Sequence, residues 1–276
     1  MKFSSHYFPK YHQLSRFEKF ILRTCCYFPP RKRRVREDLV IEPRSYQATL
    51  SAAFGTAFWP LIRGKRVLDF GCGEGGFVIG MATKVACYAE GVDIQDQFQV
   101  AKRYAAMAGI TNVQFHLGRS EGLEGAGYDV VISHDSFEHF EEPEMVLDEM
   151  VRLVKPGGHV FIKFGPAWMS PYGRHMSGTF KKSRPWIHLF VPERHMMRVH
   201  SVYHNDTELY TRYADLIGGL NKMTLKRAKG IIGSHPELNI VTQHVMPWRG
   251  MSFFLKFPVL KELFGAAVCF KCVKIK

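Results

Sequence analysis

Ten residues, Val67-Leu68-Asp69-Phe70-Gly71-Cys72-Gly73-Glu74-Gly75-Gly76, join an apolar strand to one carboxylate and a glycine-rich bend. Glycine reaches positive φ at little cost, so Gly71 and Gly73 let the chain turn tightly and open a helix whose first amides face a polar ligand. Spaced as Gly71, Gly73 and Gly76, the glycines also satisfy the G-x-G-x-x-G pattern of dinucleotide folds, so spacing alone leaves two cofactor classes open. Asp69 separates them. A carboxylate two residues before the first glycine repels a pyrophosphate but suits a ligand bearing an ammonium group, as S-adenosylmethionine does. Asp69, Gly71, Cys72 and Gly73 are therefore the first predicted cofactor-binding residues, and a nicotinamide-dependent oxidoreductase is the disfavoured alternative.

Methyl transfer from a sulfonium is an in-line displacement that a protein assists by alignment and, where the acceptor is a hydroxyl, by removing a proton. Histidine is the natural base near neutral pH. The candidates are His134 and His139, after an apolar run, and His175 and His188, in a stretch crowded with aromatic and imidazole groups. Asp135, Glu138 and His139 are spaced i, i+3, i+4, which gathers three ligand types on one face if a helix begins there. They form the alternative metal set, although the expectation is that no metal is bound.

These groups need a frame. Ala86 to Ile94 reads as a second strand ending in an acid, and Asp93 lies 20 residues after Gly73, the interval at which a βαβ unit sets a carboxylate on ribose hydroxyls. Asn112–Leu117 and Tyr128–Asp135 read as a third and fourth buried parallel strand. Leu153 to Lys163 closes a helix through Pro156-Gly157-Gly158 and enters a fifth. Strand C-termini in such sheets face the ligand crevice, which adds Ile94, Ser120, Ser133 and His134 to the predicted cofactor set.

Residues 64–166 resemble the class I S-adenosylmethionine-dependent methyltransferases, specifically the type 11 branch. The resemblance is carried by the strand-Asp-x-Gly-x-Gly turn, Gly91-Val92-Asp93, Asp129-Val130-Val131-Ile132-Ser133 with Phe137-Glu138-His139-Phe140, and Leu153-Val154-Lys155-Pro156-Gly157-Gly158. It implies an α/β fold, a Rossmann-like doubly wound seven-stranded sheet with one antiparallel strand. It also implies Asp69 and the glycine turn at the cofactor's amino-acid end, and Asp93 at its ribose. One departure stands out: these domains often carry Gly-Asp-Ala after the third strand, where this chain has Gly118-Arg119-Ser120. Ubiquinone-pathway O-methyltransferases are similar at Asp135, Glu138 and His139, with a Glu-x-x-Glu-His set that holds a divalent cation.

The 276 residues suit one α/β domain with additions. The expected division is a basic N-terminal helical arm (1–45), a cofactor-binding core (46–165 and 238–276) and an inserted acceptor-binding lid subdomain (166–237). Between the fifth strand and the sixth, Leu238–Val245, lie 73 residues, far more than a simple crossover uses. The second half of this insertion is expected to be helical from Asp206 through Ile217 and again from Thr224 to Ile232. Its Gly165–His175 and Pro185–Phe190 segments resemble insertions of bacterial type 11 enzymes. The arm holds ten of the Lys and Arg residues against one acid, Glu18, within residues 1–36. Leu14, Phe17, Phe20 and Ile21 fall at helical spacing ahead of Arg31 to Arg36, so residues 14–36 are offered either as a peripheral contact to anionic membrane or as a cap packed on the protein's own domain. No signal-peptide or membrane-spanning run is present in the sequence, and six cysteines, one inside the glycine turn, do not form a secreted disulfide framework, so a cytoplasmic or inner-membrane-surface location is expected. Cys269 and Cys272 share Cys-x-x-Cys spacing on what reads as the last strand, where they face opposite ways.

The expected activity is S-adenosylmethionine-dependent O-methylation of a hydroxyl on a sugar, glycan, lipid or secondary metabolite. N- or RNA methylation and a non-catalytic cofactor-binding role are the alternatives. Nucleic acid is disfavoured as a partner, because no Asn/Asp-Pro-Pro-Tyr type motif follows the fourth strand and no cysteine follows a proline. The expected partner is a small-molecule, glycan or lipid-linked acceptor.

Overall fold

Apolar runs that end in glycine or an acid become strands buried on both faces. In the computed structural model, which describes residues 7–31, 40–85, 87–123, 127–216 and 218–275, seven strands form one sheet: β1 (Arg66–Phe70), β2 (Tyr88–Asp93), β3 (Val113–Leu117), β4 (Tyr128–His134), β5 (Val154–Phe164), β6 (Leu238–Pro247) and β7 (Gly265–Lys274). Their order is β3-β2-β1-β4-β5-β7-β6. β7 runs antiparallel to both neighbours, and the pairs from β3 to β5 are parallel. The fold is the expected Rossmann-like sheet with one antiparallel strand. Its order reverses direction between β1 and β4, and the crevice outside such a switch point is where open α/β sheets bind ligands.

Alternation along β1 feeds two cores. Val67 packs with Leu50, Val78, Met81, Ala101 and Ile132 under α2 (Pro43–Phe54), α3 (Phe58–Ile62), α4 (Gly76–Lys84) and α5 (Gln99–Ala108). Leu68 and Phe70 turn the other way, toward Leu147 and Met150 of α6 (Pro143–Leu153) and Ala228 and Ile232 of α9 (Leu225–Ser234). Asp69 shares the Val67 face, so the carboxylate lies on the α4 side of the sheet.

A third core joins the N-terminal arm to the insertion. Helix α1 (Arg16–Cys25) starts in a capping box in which Ser15 Oγ accepts from the Glu18 amide and Glu18 Oε2 accepts from the Ser15 amide. It buries Ile21 and Leu22, with Phe8 and Leu14, against Met196, Met197, Val199 and Val202 of α8 (Glu193–His204). Glu18, buried in this seam, takes His195 at 2.9 Å and Arg198 at 3.0 Å. A bridge between Cys26 and Phe180 ties the strand-like exit of α1 to the insertion. The apolar stripe of the arm is thus divided: Ile21 is packed, while Phe17 is 46% and Phe20 61% exposed. The basic cluster Lys32–Arg36 lies outside the described residues.

One of the two helical expectations for the insertion changes. Residues 206–216 hold no α-helix, only a 3-10 turn at Tyr213–Asp215, and Ile217 lies outside the described residues. Asp215 takes the Thr211 and Arg212 amides at 3.0 and 2.9 Å, a local side-chain alternative to helical bonding. The helix actually present in the insertion's middle, α8, is closed by Asn205 in the left-handed conformation at φ 56°. A short α7 (Ile187–Phe190) precedes it. The second expected segment is α9, with the Thr224 side chain as its N-terminal cap. All six cysteines are free; Cys269 and Cys272 are buried on β7. Among the described residues no helix is long and apolar enough to cross a membrane.

Candidate functional site

The glycine turn is locked onto β2. Gly71 and Gly73 adopt φ +80° and +51°, and a Cβ at Gly71 would lie 2.7 Å from Ser136 Cβ. The sequence reading leaves the turn's amides free for a ligand; the structure corrects this. The amides of Gly71 and Cys72 donate to Val92 O at 2.8 and 3.0 Å, and that of Gly73 donates to Asp93 Oδ2 at 2.8 Å. The Gln95 amide donates to Asp93 Oδ1 at 2.8 Å. The engaged amides orient Asp93 and hold the turn, and each carboxylate oxygen keeps lone-pair capacity for a further donor.

A cavity of about 550 Å³ opens beside this turn at the strand C-termini. Of the predicted residues, Gly71, Asp93, Ile94, Ser120 and His139 are on its wall. Ser120 is fixed by a short hydrogen bond from its hydroxyl to Glu149. Asp93, Glu141, Glu142, Glu149 and Asp215 share the wall with Arg119; Glu149 and Asp215 are paired with Arg152 and Arg212, and the remaining acids favour a cationic ligand. The insertion supplies the roof through Ala214–Leu216 and Gly218–Asn221. Asn221 holds this roof to the core by donating from Nδ2 to the carbonyls of Phe137 and Phe140 at 2.9 and 2.8 Å. Gly219 has no room for a side chain, since a Cβ there would lie 1.8 Å from Tyr213 O. Sequence reading missed these roof residues; the Gly218-Gly219 pair, which breaks a helical pattern, is the signal that marks them.

Asp69, Cys72, Gly73, Ser133, His134, His175 and His188 do not line this cavity. Asp69 is buried behind Gly71, and neither carboxylate oxygen has a hydrogen-bond partner. Burial, reinforced by the Asp93 charge, pushes its carboxyl up to about 8. An orphaned buried carboxylate one peptide turn from the wall fits a ligand whose cationic end sits at Gly71. Cys72 packs its sulfur toward Gly91, where a Cβ would come within 2.8 Å of it. Ser133 and His134 are buried in the sheet; the His134 ring sits 4.3 Å from Phe77 and 5.9 Å from Phe54, enclosed by aromatic groups.

The raised Asp69 implies a pH signature for the cofactor-free protein. A carboxyl whose pKa is raised on folding stabilises below its ordinary value of 3.8 and loses that contribution as pH rises through about 8. His188, drawn down to about 4 by burial, acts in the opposite sense: its contribution is present above 6.5 and lost as pH falls toward 4. Between pH 6.5 and 8 Asp69 and the similarly raised Glu138 lose this contribution. Unfolding stability should fall by about 2 kcal/mol per group across that interval. Chemical denaturation of Asp69→Asn at the two pH values should show a fall smaller than that of the parent chain by about 2 kcal/mol. An equal fall in both would mean that Asp69 is ionised throughout.

The histidines separate by position. His139 is on the wall, and its Nδ1 hydrogen-bonds the Gly218 carbonyl at 2.7 Å. As donor there, the neutral ring leaves Nε2 as an acceptor, and burial holds its pKa below the usual imidazole range. His175 hydrogen-bonds Pro166 O through Nε2 at 2.7 Å, with its ring 5.4 Å from that of His139; burial draws it down to about 4. His188 hydrogen-bonds Trp168 O through Nε2 at 2.7 Å and packs edge-on to Trp168 inside the insertion, a structural position. Neither His134 nor His188 is therefore placed to be the base.

The expected ligand trio also changes membership. Asp135 takes a left-handed conformation, φ 55°, and turns to Lys163 at 2.6 Å and His134 at 3.3 Å. The helix supposed to align it is a 3-10 turn, Phe137–His139. Among the described residues, Glu138, His139 and His175 are the ones that bring ligand atoms within 4.8 Å of one another. Glu138 accepts from the Gly165 amide through Oε1 at 3.1 Å, while Oε2 is buried without a partner. Backbone carbonyls orient both rings, as outer-shell partners do at metal centres.

A family model described as a methyltransferase domain matches residues 61–181. The chain is 30% identical over 141 residues to a ubiquinone biosynthesis O-methyltransferase of Neisseria meningitidis serogroup C, covering 50% of this chain and 53% of that protein. It is 31% identical over 175 residues to the protein of the same name in Klebsiella pneumoniae, covering 62% and 66%. The chain thus spans between half and two thirds of the length of these relatives. The solved structure of an S-adenosylmethionine-dependent methyltransferase from Mesorhizobium loti shares the fold, with TM-score 0.51 and 16% identity over 87% of this chain and 100% of that one.

Proposed function

The chain belongs to the class I S-adenosylmethionine-dependent methyltransferase family, and from that premise we propose that it methylates a hydroxyl of a small, partly apolar molecule. The observation that carries this reading is the convergence of Gly71, Asp93, Ser120 and His139, from four separate segments, on one wall. In this reading Asp93 accepts from the ribose hydroxyls, Ile94 and Ser120 flank the adenine, and the amino-acid end lies at Gly71 in the field of Asp69. Phe140, Met145, Leu216 and Leu220 give the same cavity an apolar stretch, which supports a ring- or chain-bearing hydroxyl acceptor over a bare sugar. The O-methyltransferase names of the relatives point the same way.

The acceptor oxygen attacks the methyl carbon in line with the C–S bond. His139 Nε2 takes the hydroxyl proton, the C–S pair returns to sulfur, and a methyl ether and S-adenosylhomocysteine result. The roof at Gly218–Asn221 fixes the His139 tautomer and excludes water from the reacting atoms. Incubation with methyl-labelled S-adenosylmethionine and a panel of phenols, alcohols and amines, read by mass spectrometry, should give one labelled ether per S-adenosylhomocysteine. Label on amines alone would replace the hydroxyl reading, and no turnover with any acceptor would leave a non-catalytic cofactor binder.

A second reading is favoured by the Glu138, His139 and His175 group: a divalent cation there would supply Lewis acidity that lowers the acceptor hydroxyl's pKa. Retained activity after exhaustive chelation supports the histidine base; activity lost on chelation and restored by a divalent cation supports this alternative.

A further inference from the structure

The insertion encloses a second cavity, of about 190 Å³, and Arg174 is on its wall. Arg174 is 1% exposed and is among the largest fully buried side chains of the protein. Its Nη1 and Nη2 donate to the carbonyls of Pro171 and Lys181 at 3.2 and 3.3 Å, and Nε has no partner. A guanidinium has five N–H donors, so these two long bonds leave most of its capacity unused. No acid forms an ion pair with it among the described residues. The groups acting on it electrostatically include the phenols of Tyr213, Tyr172 and Tyr27 and the thiol of Cys26, none of them a carboxylate. The rings of Tyr172 and Phe180 lie 5.5 and 5.7 Å away and offset part of the cost through their π faces, but they leave the positive charge uncompensated. Lys182 and Ser177 line the same cavity.

We propose that this cavity binds an oxyanion, a carboxylate or phosphate group, between Arg174 and Lys182. Such a group would supply the missing countercharge and the acceptors that Arg174 lacks. The site adjoins the reaction chamber through one layer: Pro166 lines it, and the Pro166 carbonyl holds His175, whose ring meets that of His139. The oxyanion is therefore either free in solution or carried on the methyl acceptor, and only the second case rests on the methyltransferase reading.

Thermal unfolding of the full chain in inorganic phosphate, against sodium chloride at equal ionic strength, tests the site. A saturable rise in midpoint specific to phosphate is expected. Because replacing Arg174 risks the fold, the deciding variant is Lys182→Glu at an exposed position; it should move half-saturation at least about tenfold higher, as loss of a charged contact does. No phosphate-specific rise, or an unchanged half-saturation in Lys182→Glu, overturns the proposal. A second arm compares KM for a phenolic acid and its methyl ester. A preference of about tenfold or more for the acid that vanishes in Lys182→Glu identifies an acceptor-borne oxyanion. Equal KM values with the phosphate response intact identify a free one. Failure of methyl transfer with every acceptor would overturn the catalytic reading and leave the midpoint result standing.

Discussion

Asp93→Ala should lower S-adenosylmethionine affinity by about 10²- to 10⁴-fold, measured by calorimetry. Asp93 ends β2 on the wall of the larger cavity, and its two oxygens are oriented by the Gly73 and Gln95 amides at 2.8 Å each. Two charged hydrogen bonds to vicinal ribose hydroxyls are worth about 1.5–3 kcal/mol each, and every 1.4 kcal/mol is tenfold in affinity. The same change removes the acceptor of Gly73 N–H and so loosens the turn at Gly71. Asp93→Asn, which keeps one carbonyl oxygen, should fall between. Affinities within threefold of the parent for both variants would remove Asp93 from the site.

His139→Gln should lower kcat by about 10²- to 10⁴-fold, the range for a positioned general base, while leaving cofactor affinity nearly unchanged. Glutamine can still donate to the Gly218 carbonyl that His139 now bonds at 2.7 Å, so the roof keeps its anchor while the base is lost. The defect should shrink toward the parent rate with a nitrophenol-type acceptor already ionised at the assay pH, because no proton then needs removing. A loss of equal size with both acceptors would assign His139 to positioning alone.

Burial explains which parts of this protein are legible from its residues. The strands around Asp69, Asp93 and Ser133 are buried on both faces, so they read as apolar runs closed by glycine or an acid, and β1, β2 and β4 match those runs to within two residues. Asp93, Ile94 and Ser120 follow from strand-end geometry. The histidines do not. His134 and His139 are five residues apart, and only the path of the chain after β4 turns one into an aromatic enclosure and the other onto the wall. Helix α8 is not marked by a clean apolar period because its stripe, Met196, Val199 and Tyr203, is interleaved with the imidazoles of His195, His200 and His204. Glu18 meets His195 across 177 residues of sequence, and no local pattern marks that seam or the lack of a counter-ion for Arg174 among the described residues. The replacement of Asp135 by His175 beside Glu138 and His139 likewise depends on the left-handed turn at Asp135 and on the insertion folding back.

The most direct measurement is a crystal structure of the full chain with S-adenosylhomocysteine bound. The ribose hydroxyls should lie within hydrogen-bond distance of Asp93, the adenine between Ile94 and Ser120, and the sulfur on the His139 side of the cavity. A product molecule bound away from Asp93, or in the larger cavity with its sulfur remote from His139, would contradict the assignment of this cavity as the methyl-transfer site.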